Sequence, residues 1–243
     1  MSISWISTNF HEVYRMSKSP KNKQRLHVFA AYRGRGKQNN DLYLVYSVKT
    51  NRDWILPSGR QFVHWLNFLE LNRSVRSFDL APELRISFDD KEYRGTEFDA
   101  EVEYVDGHQE FHEVKSDSTK LHEARGQLLA QASEAQREGI KYRLFTDDDL
   151  IPHVKTSIRW LKPLGFAAAL RDQDHAVLQG RLLIVLKART QGTLDQILQD
   201  FFGHDIPTVI GLFIRCAIQG VIAIDLSHRS FNYETQWKWL EEF

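Results

Sequence analysis

The feature that most constrains this chain is the dipeptide Asp106-Gly107, set between two strand-like runs, 96–105 and 109–115. An Asp-Gly pair supplies the left-handed backbone that a tight hairpin turn requires, so the two runs are expected to fold back on each other as antiparallel strands. Residues two apart on a strand share a face. Glu113 and Lys115 therefore project together, and the hairpin brings Asp99 alongside them. Whatever else the chain does, it must accommodate two carboxylates and an ammonium converging at one end of a hairpin.

That set of groups suits phosphodiester hydrolysis. Mg²⁺ takes hard oxygen ligands and keeps waters that can become nucleophiles, while Lys115 can orient such a water or stabilise charge on a phosphate. The same residues also suit a solvated strand pair carrying a Glu-Lys ion pair worth under about 1 kcal/mol. Glu97 and Glu101, two residues either side of Asp99, are reserve carboxylates.

Around this hairpin the periodicities describe a mixed chain. Residues 26–32 and 41–48 read as strands. The loop between them carries Arg33, Arg35 and Lys37 on glycine-softened backbone, suited to DNA phosphates or to a solvated tip. Residues 58–71 read as a helix with Ser58 as N-cap and a stripe of Phe62, Trp65, Leu66 and Leu69. Residues 83–88 read as another strand. A helix over 119–138 is expected to bury Leu121, Leu128, Leu129, Ala132 and Ala135 and to stop at Gly139. A strand over 140–145 leads to Thr146, which with Asp149 forms a capping pattern opening a helix that carries Leu150, Val154, Ile158 and Leu161. In that position the acidic run 147–149 reads as helix capping. The tail reads as a helix marked by Leu194, Ile197, Leu198 and Phe201, a second over 208–219 begun near Pro207 and closed by Gly220, and a short strand over 221–226. Helix, turn, helix, strand suggests a small winged-helix-like domain for DNA or protein contacts. The boundary is placed near Lys162-Pro163-Leu164-Gly165, giving domains 1–162 and 163–243.

Composition narrows the class. At 243 residues and 42% hydrophobic the chain can build a substantial core, and its 32 basic and 32 acidic residues give no global field that announces nucleic acid. The lone Cys216 sits in an apolar run and reads as a buried thiol. His112, His122, His153 and His175 have no metal-ligand spacing and read as surface residues. No apolar run reaches about 18 residues, so a soluble cytoplasmic protein without a membrane partner is expected. No phosphate-binding P-loop sequence is present. Trp237 and Trp239 could anchor a partner or cover the small domain.

Asp99, Glu113 and Lys115, on a hairpin preceded by a helix and followed by a helix-strand unit, resemble the PD-(D/E)xK nuclease core. The likeness narrows to the TnsA family, the endonuclease subunit of heteromeric cut-and-paste transposases. Thr96-Glu97-Phe98-Asp99 through Asp106-Gly107 looks like that family's active-site strand and turn, and Glu113-Val114-Lys115 its (E/Q)VK signature. The segment from Phe145-Thr146-Asp147 through Ile151-Pro152-His153-Val154-Lys155 to Ile158-Arg159-Trp160-Leu161 is similar to a further motif of the family. The likeness runs from about Arg33 to Leu161 and continues more weakly beyond.

The resemblance implies an α/β restriction-endonuclease-like fold, a mixed sheet flanked by helices, with a C-terminal winged-helix-like domain. It also implies Mg²⁺, for which Mn²⁺ can substitute, held by Asp99 and Glu113, and cleavage at the 5′ ends of transposon-end DNA. The implied partners are a TnsB-like transposase that processes the 3′ ends and a TnsC-like AAA+ ATPase, with assembly on the bacterial nucleoid. One departure matters. The family places a metal-binding Glu early in the first catalytic helix, where this chain has Gln61 or Phe62; Gln61 could offer a carbonyl oxygen or hold a water, or be ordinary surface polarity, and Phe62 fits the apolar stripe. The alternative implied by that loss is a cleavage-impaired adaptor linking transposase and regulator. A stand-alone restriction or repair nuclease would share the catalytic strands.

Overall fold

The computed structural model describes Arg33 and residues 41–83, 85–89, 92–116 and 124–240. The expected strand over 26–32 and the cations Arg35 and Lys37 lie outside the described residues, while Arg33 is exposed.

Strands β1 (Tyr43–Ser47) and β2 (Arg52–Leu56) form an antiparallel hairpin with Tyr43 opposite Leu56. Helix α1 (Gly59–His64) follows, and the Ser58 hydroxyl caps it by accepting the Gln61 N–H at 3.2 Å. From Trp65 to Glu70 the winding widens to a π-helix, with the Leu71 N–H reaching the Leu66 carbonyl at 2.9 Å. A single α-helix over 58–71 is therefore not what forms. The inserted residue lets Trp65, Leu66 and Leu69 all point fully inward, and turns Glu70 inward as well. Glu70 accepts from the Ser47 hydroxyl and the Val48 N–H, both at 2.7 Å. Burial raises its pKa despite those bonds.

The central sheet is mixed and four-stranded, in the order β3 (Val75–Asp79), β6 (Ala100–Tyr104), β7 (Gln109–Val114), β8 (Lys141–Phe145). The β3-β6 and β6-β7 pairs are antiparallel and β7-β8 is parallel. Gly107, at φ 89°, makes the β6-β7 turn that the Asp-Gly dipeptide predicts. Strands β4 (Arg85–Asp89) and β5 (Glu92–Thr96) pair separately, so the expected strand over 96–105 is shorter and begins at Ala100.

The parallel β7-β8 pair needs a crossover, supplied by α2 (Arg125–Glu138), which ends at Gly139 with φ 71°. Its buried face is Gln131, Glu134 and Ala135, whereas Leu129 is exposed. Of the expected face Ala135 is buried and Leu128 half-buried, Leu129 is turned out and Leu121 lies outside the described residues; Gln131 turns inward to bond Glu113.

Helix α3 (Asp147–Leu150) has the expected capping box, the Thr146 N–H donating to Asp149 at 2.8 Å. Helix α4 (Val154–Ala169) buries Ser157, Trp160, Pro163 and Ala167 and leaves Val154, Ile158 and Leu161 exposed. This again corrects the expected face. Pro163 lies within α4, so the helix runs straight through the expected domain boundary. The C-terminal elements are α5 (Ala176–Arg189), β9 (Gln191–Thr193), α6 (Leu194–Asp200), α7 (Ile206–Ile218), β10 (Ile222–Ile224) and β11 (Gln236–Trp239). Their strands form a three-stranded antiparallel sheet in the order β10-β11-β9.

Helix α7 packs along α4, and Gly211 permits the approach: a Cβ there would stand 2.7 Å from the Phe166 carbonyl oxygen. Nine of its residues are buried, Cys216 among them, and burial pushes that thiol up to about 12. One continuous core runs from Trp65 and Phe145 to Leu212 and Phe213. Trp237 belongs to that core and donates to the Thr193 carbonyl at 3.2 Å, so it covers the small sheet. No helix among the described residues is long and apolar enough to cross a membrane.

Candidate active site

The β6-β7 hairpin, α1 and α2 converge on an open pocket of about 550 Å³ whose polar lining includes Gln61, Asp99, Glu113, Lys115 and Gln127. Asp99 lies just before β6, and its N–H donates to the His112 carbonyl at 3.0 Å, extending the ladder by one residue. One carboxylate oxygen of Asp99 accepts the Val114 N–H at 2.7 Å and the other accepts the Gln61 side-chain amide at 2.9 Å. Strand alternation puts Glu113 and Lys115 on one face, and their charged groups meet at 2.5 Å. The second oxygen of Glu113 accepts from Gln131 at 2.9 Å. The same Gln131 nitrogen reaches the Glu97 carbonyl at 2.7 Å, and the Gln131 oxygen accepts the Tyr142 hydroxyl at 3.0 Å.

Gln61, Asp99, Glu113 and Lys115, singled out in the sequence, are thus brought together. The Gln61 carboxamide faces the site and donates to Asp99. Phe62 points into the core and stacks on Tyr43 at 4.9 Å. Of the reserve carboxylates, Glu97 lines the pocket, whereas Glu101 lies opposite Phe111 and lines a separate depression with Ser77 and Asp79. Gln127, Gln131, Tyr142 and His64 are additional pocket or supporting residues. The one signal for them was a polar i, i+4 pair, Gln127 and Gln131, on an otherwise ordinary helix. His112 is fully buried, not a surface residue.

The electrostatics are those of two crowded anions. Burial pushes the Asp99 carboxyl up to about 6, and the Glu113 charge adds to the rise against the opposing bonds from Val114 and Gln61 and the Lys115 charge. Burial and the same two carboxylates raise the Tyr142 phenol. Neighbouring Arg60 pairs with Asp147 through two bonds of 2.5 and 2.8 Å, tying α1 to α3 beside the site.

Hard oxygen donors with a mutual repulsion that a cation would relieve fit Mg²⁺, which binds one or two protein carboxylates and fills its shell with water and phosphate oxygens. Among the described residues no group of three or more His, Cys, Asp or Glu side chains is placed to hold a metal. No protein-family model matches the sequence, and no curated protein matches it.

Proposed function

We infer that this chain is a Mg²⁺-dependent DNA endonuclease of the TnsA kind, cutting the 5′ ends of a transposon within a transposase assembly. The observation that carries the reading is the convergence of Asp99, Glu113 and Lys115 with Gln61 in one open pocket. On this reading the mixed sheet with its crossover helix is a PD-(D/E)xK core. Asp99 and Glu113 would hold the metal, which when bound supplies an activated water and neutralises charge on the phosphate. Lys115, at the pocket, orients the water and offers positive charge to the phosphate. Gln131 holds one oxygen of Glu113 and so fixes the direction of that carboxylate. Gln61 can turn its carboxamide over to present an oxygen in place of the family's carboxylate.

The order helix, strand, helix, helix, strand, strand from α5 to β11 supports a winged-helix reading of the tail. The second helix of such a motif ordinarily enters the major groove. Here that helix is α7, which is packed against α4, so the tail is assigned to partner contacts or to DNA phosphates rather than to base reading through α7. The cognate partners are the TnsB-like transposase and the TnsC-like ATPase.

The test is strand cleavage of labelled transposon-end DNA with Mg²⁺ and the cognate partners. Asp99→Ala and Lys115→Ala should each abolish the 5′ cut while leaving the fold intact; undiminished cutting by either would sink the assignment. The presence of Gln61 and Phe62 in α1 where the family has a carboxylate favours a second reading, a DNA-binding adaptor with little cleavage of its own. Transposition that needs the protein but is indifferent to Asp99 would establish it.

A further inference from the structure

Behind the pocket wall runs a buried polar chain that the chemistry above does not use. On the face of β7 opposite Glu113, Glu110 accepts from His112 Nε2 at 3.1 Å and from the Tyr104 hydroxyl at 2.9 Å through one oxygen, and from Lys141 at 2.6 Å through the other. His112 Nδ1 meets His64 Nε2 at 3.0 Å. Glu110, His112 and His64 are all buried, and His64 then lines the pocket that holds Asp99 and Glu113. It stands three residues after Gln61 on α1, hence on the same side of the helix.

The polarity of each link is determined. A carboxylate only accepts, and the bond from His112, with Lys141 and Tyr104, holds the Glu110 carboxyl well below its usual range. His112 Nε2 therefore carries a hydrogen. Both rings are fully buried and Lys141 already matches the Glu110 charge, so His112 stays neutral and its Nδ1 is bare. His64 must then carry its hydrogen on Nε2, which leaves a lone pair on Nδ1. Among the described residues His64 Nδ1 has no hydrogen-bond partner, and His64, though only 2% exposed, contributes to the pocket lining.

We propose that Glu110 and His112 are positioning residues that set the hydrogen-bonding polarity of His64, whose Nδ1 accepts a hydrogen bond from a donor in the pocket. The identity of that donor rests on the nuclease reading, in which it is the attacking water. A neutral acceptor orients that water without adding a third negative charge to Asp99 and Glu113, which suits a site whose first helix offers Gln61.

The test is long-range ¹⁵N-¹H correlation of the histidine rings in the full chain at neutral pH. Wild type should show both His64 and His112 as neutral Nε2-H tautomers. In Glu110→Gln, Lys141 claims the single amide oxygen and the NH₂ group faces His112 Nε2. The chain should then reverse, with both rings becoming Nδ1-H. A charged or Nδ1-H His64 in wild type, or an unchanged His64 in a folded Glu110→Gln, overturns the proposal. Cleavage supplies the second readout. His64→Asn keeps an acceptor where Nδ1 stands and His64→Gln keeps only the link to His112, so kcat should fall about a hundredfold in Gln and recover largely in Asn, with KM little changed. Equal loss in both would make His64 merely structural and overturn its role. Absence of cleavage in wild type would refute the nuclease reading, and the tautomers would still decide the polarity.

Discussion

Replacing Asp99 by Asn should make the protein more stable at neutral pH. The folded carboxyl is pushed from 3.8 up to about 6, chiefly by burial and then by the Glu113 charge. At about 1.36 kcal/mol per unit of pKa, keeping Asp99 ionised in the fold costs about 3 kcal/mol. The sign follows from proton binding: the folded state holds the proton more tightly than the unfolded chain, so stability is lost as pH rises from about 4 to about 6 and stays lost above that. Asn is isosteric and never ionises. Its oxygen can accept the Val114 N–H, and its amide can donate to Gln61 once that carboxamide turns over, so both bonds survive. Urea denaturation without divalent cations should show Asp99→Asn more stable by about 2–3 kcal/mol at pH 7, the gap closing near pH 4. Added Mg²⁺ should stabilise wild type selectively and narrow it. A wild type as stable as the variant at pH 7, or a gap that does not change with pH, would refute the reasoning.

Three further outcomes concern the frame around the site. Lys49 donates to the carbonyls of Leu69, Asn72 and Val75, so Lys49→Met should cost about 2–4 kcal/mol in chemical denaturation by stranding them; no loss would show that water replaces the ammonium freely. Gly211→Ala forces a Cβ to within 2.6 Å of Leu170 and 2.7 Å of the Phe166 carbonyl, so it should cost about 1–3 kcal/mol by denaturation, and a neutral result would mean α4 and α7 are free to separate. Gln131→Leu frees one oxygen of Glu113 and should lower cleavage about tenfold to a hundredfold through looser metal binding, with rescue at high Mg²⁺; loss without rescue would contradict the positioning role.

The hairpin at the centre of the site was legible because turn chemistry and strand alternation are local: Asp106-Gly107 sets the register that brings Asp99 to Glu113 and Lys115. The caps at Ser58 and Thr146 were legible for the same reason. What escaped depends on tertiary partners. Strand β2, Arg-Asp-Trp-Ile-Leu, is short and opens on two charged residues, and only its pairing with β1 defines it. The π-helical turn is fixed by the space that Trp65, Leu66, Leu69 and Glu70 fill together, which no propensity records. The faces of α2 and α4 were legible only in part, as at Ala135, because Gln131, Glu134 and Ser157 are buried with polar partners, while Leu129 and Ile158 remain outside. His112 read as a surface residue for a similar reason: Glu110 and His64, one on its own strand and one 48 residues away, make its burial possible.

The most direct test of the central claim is Mg²⁺-dependent cleavage at the 5′ transposon end, comparing wild type with Asp99→Asn in the presence of the cognate transposase partners. Wild type should cut, and the variant, though folded and more stable, should not. Equal cutting by both, or a cut that persists when divalent cations are chelated, would contradict it.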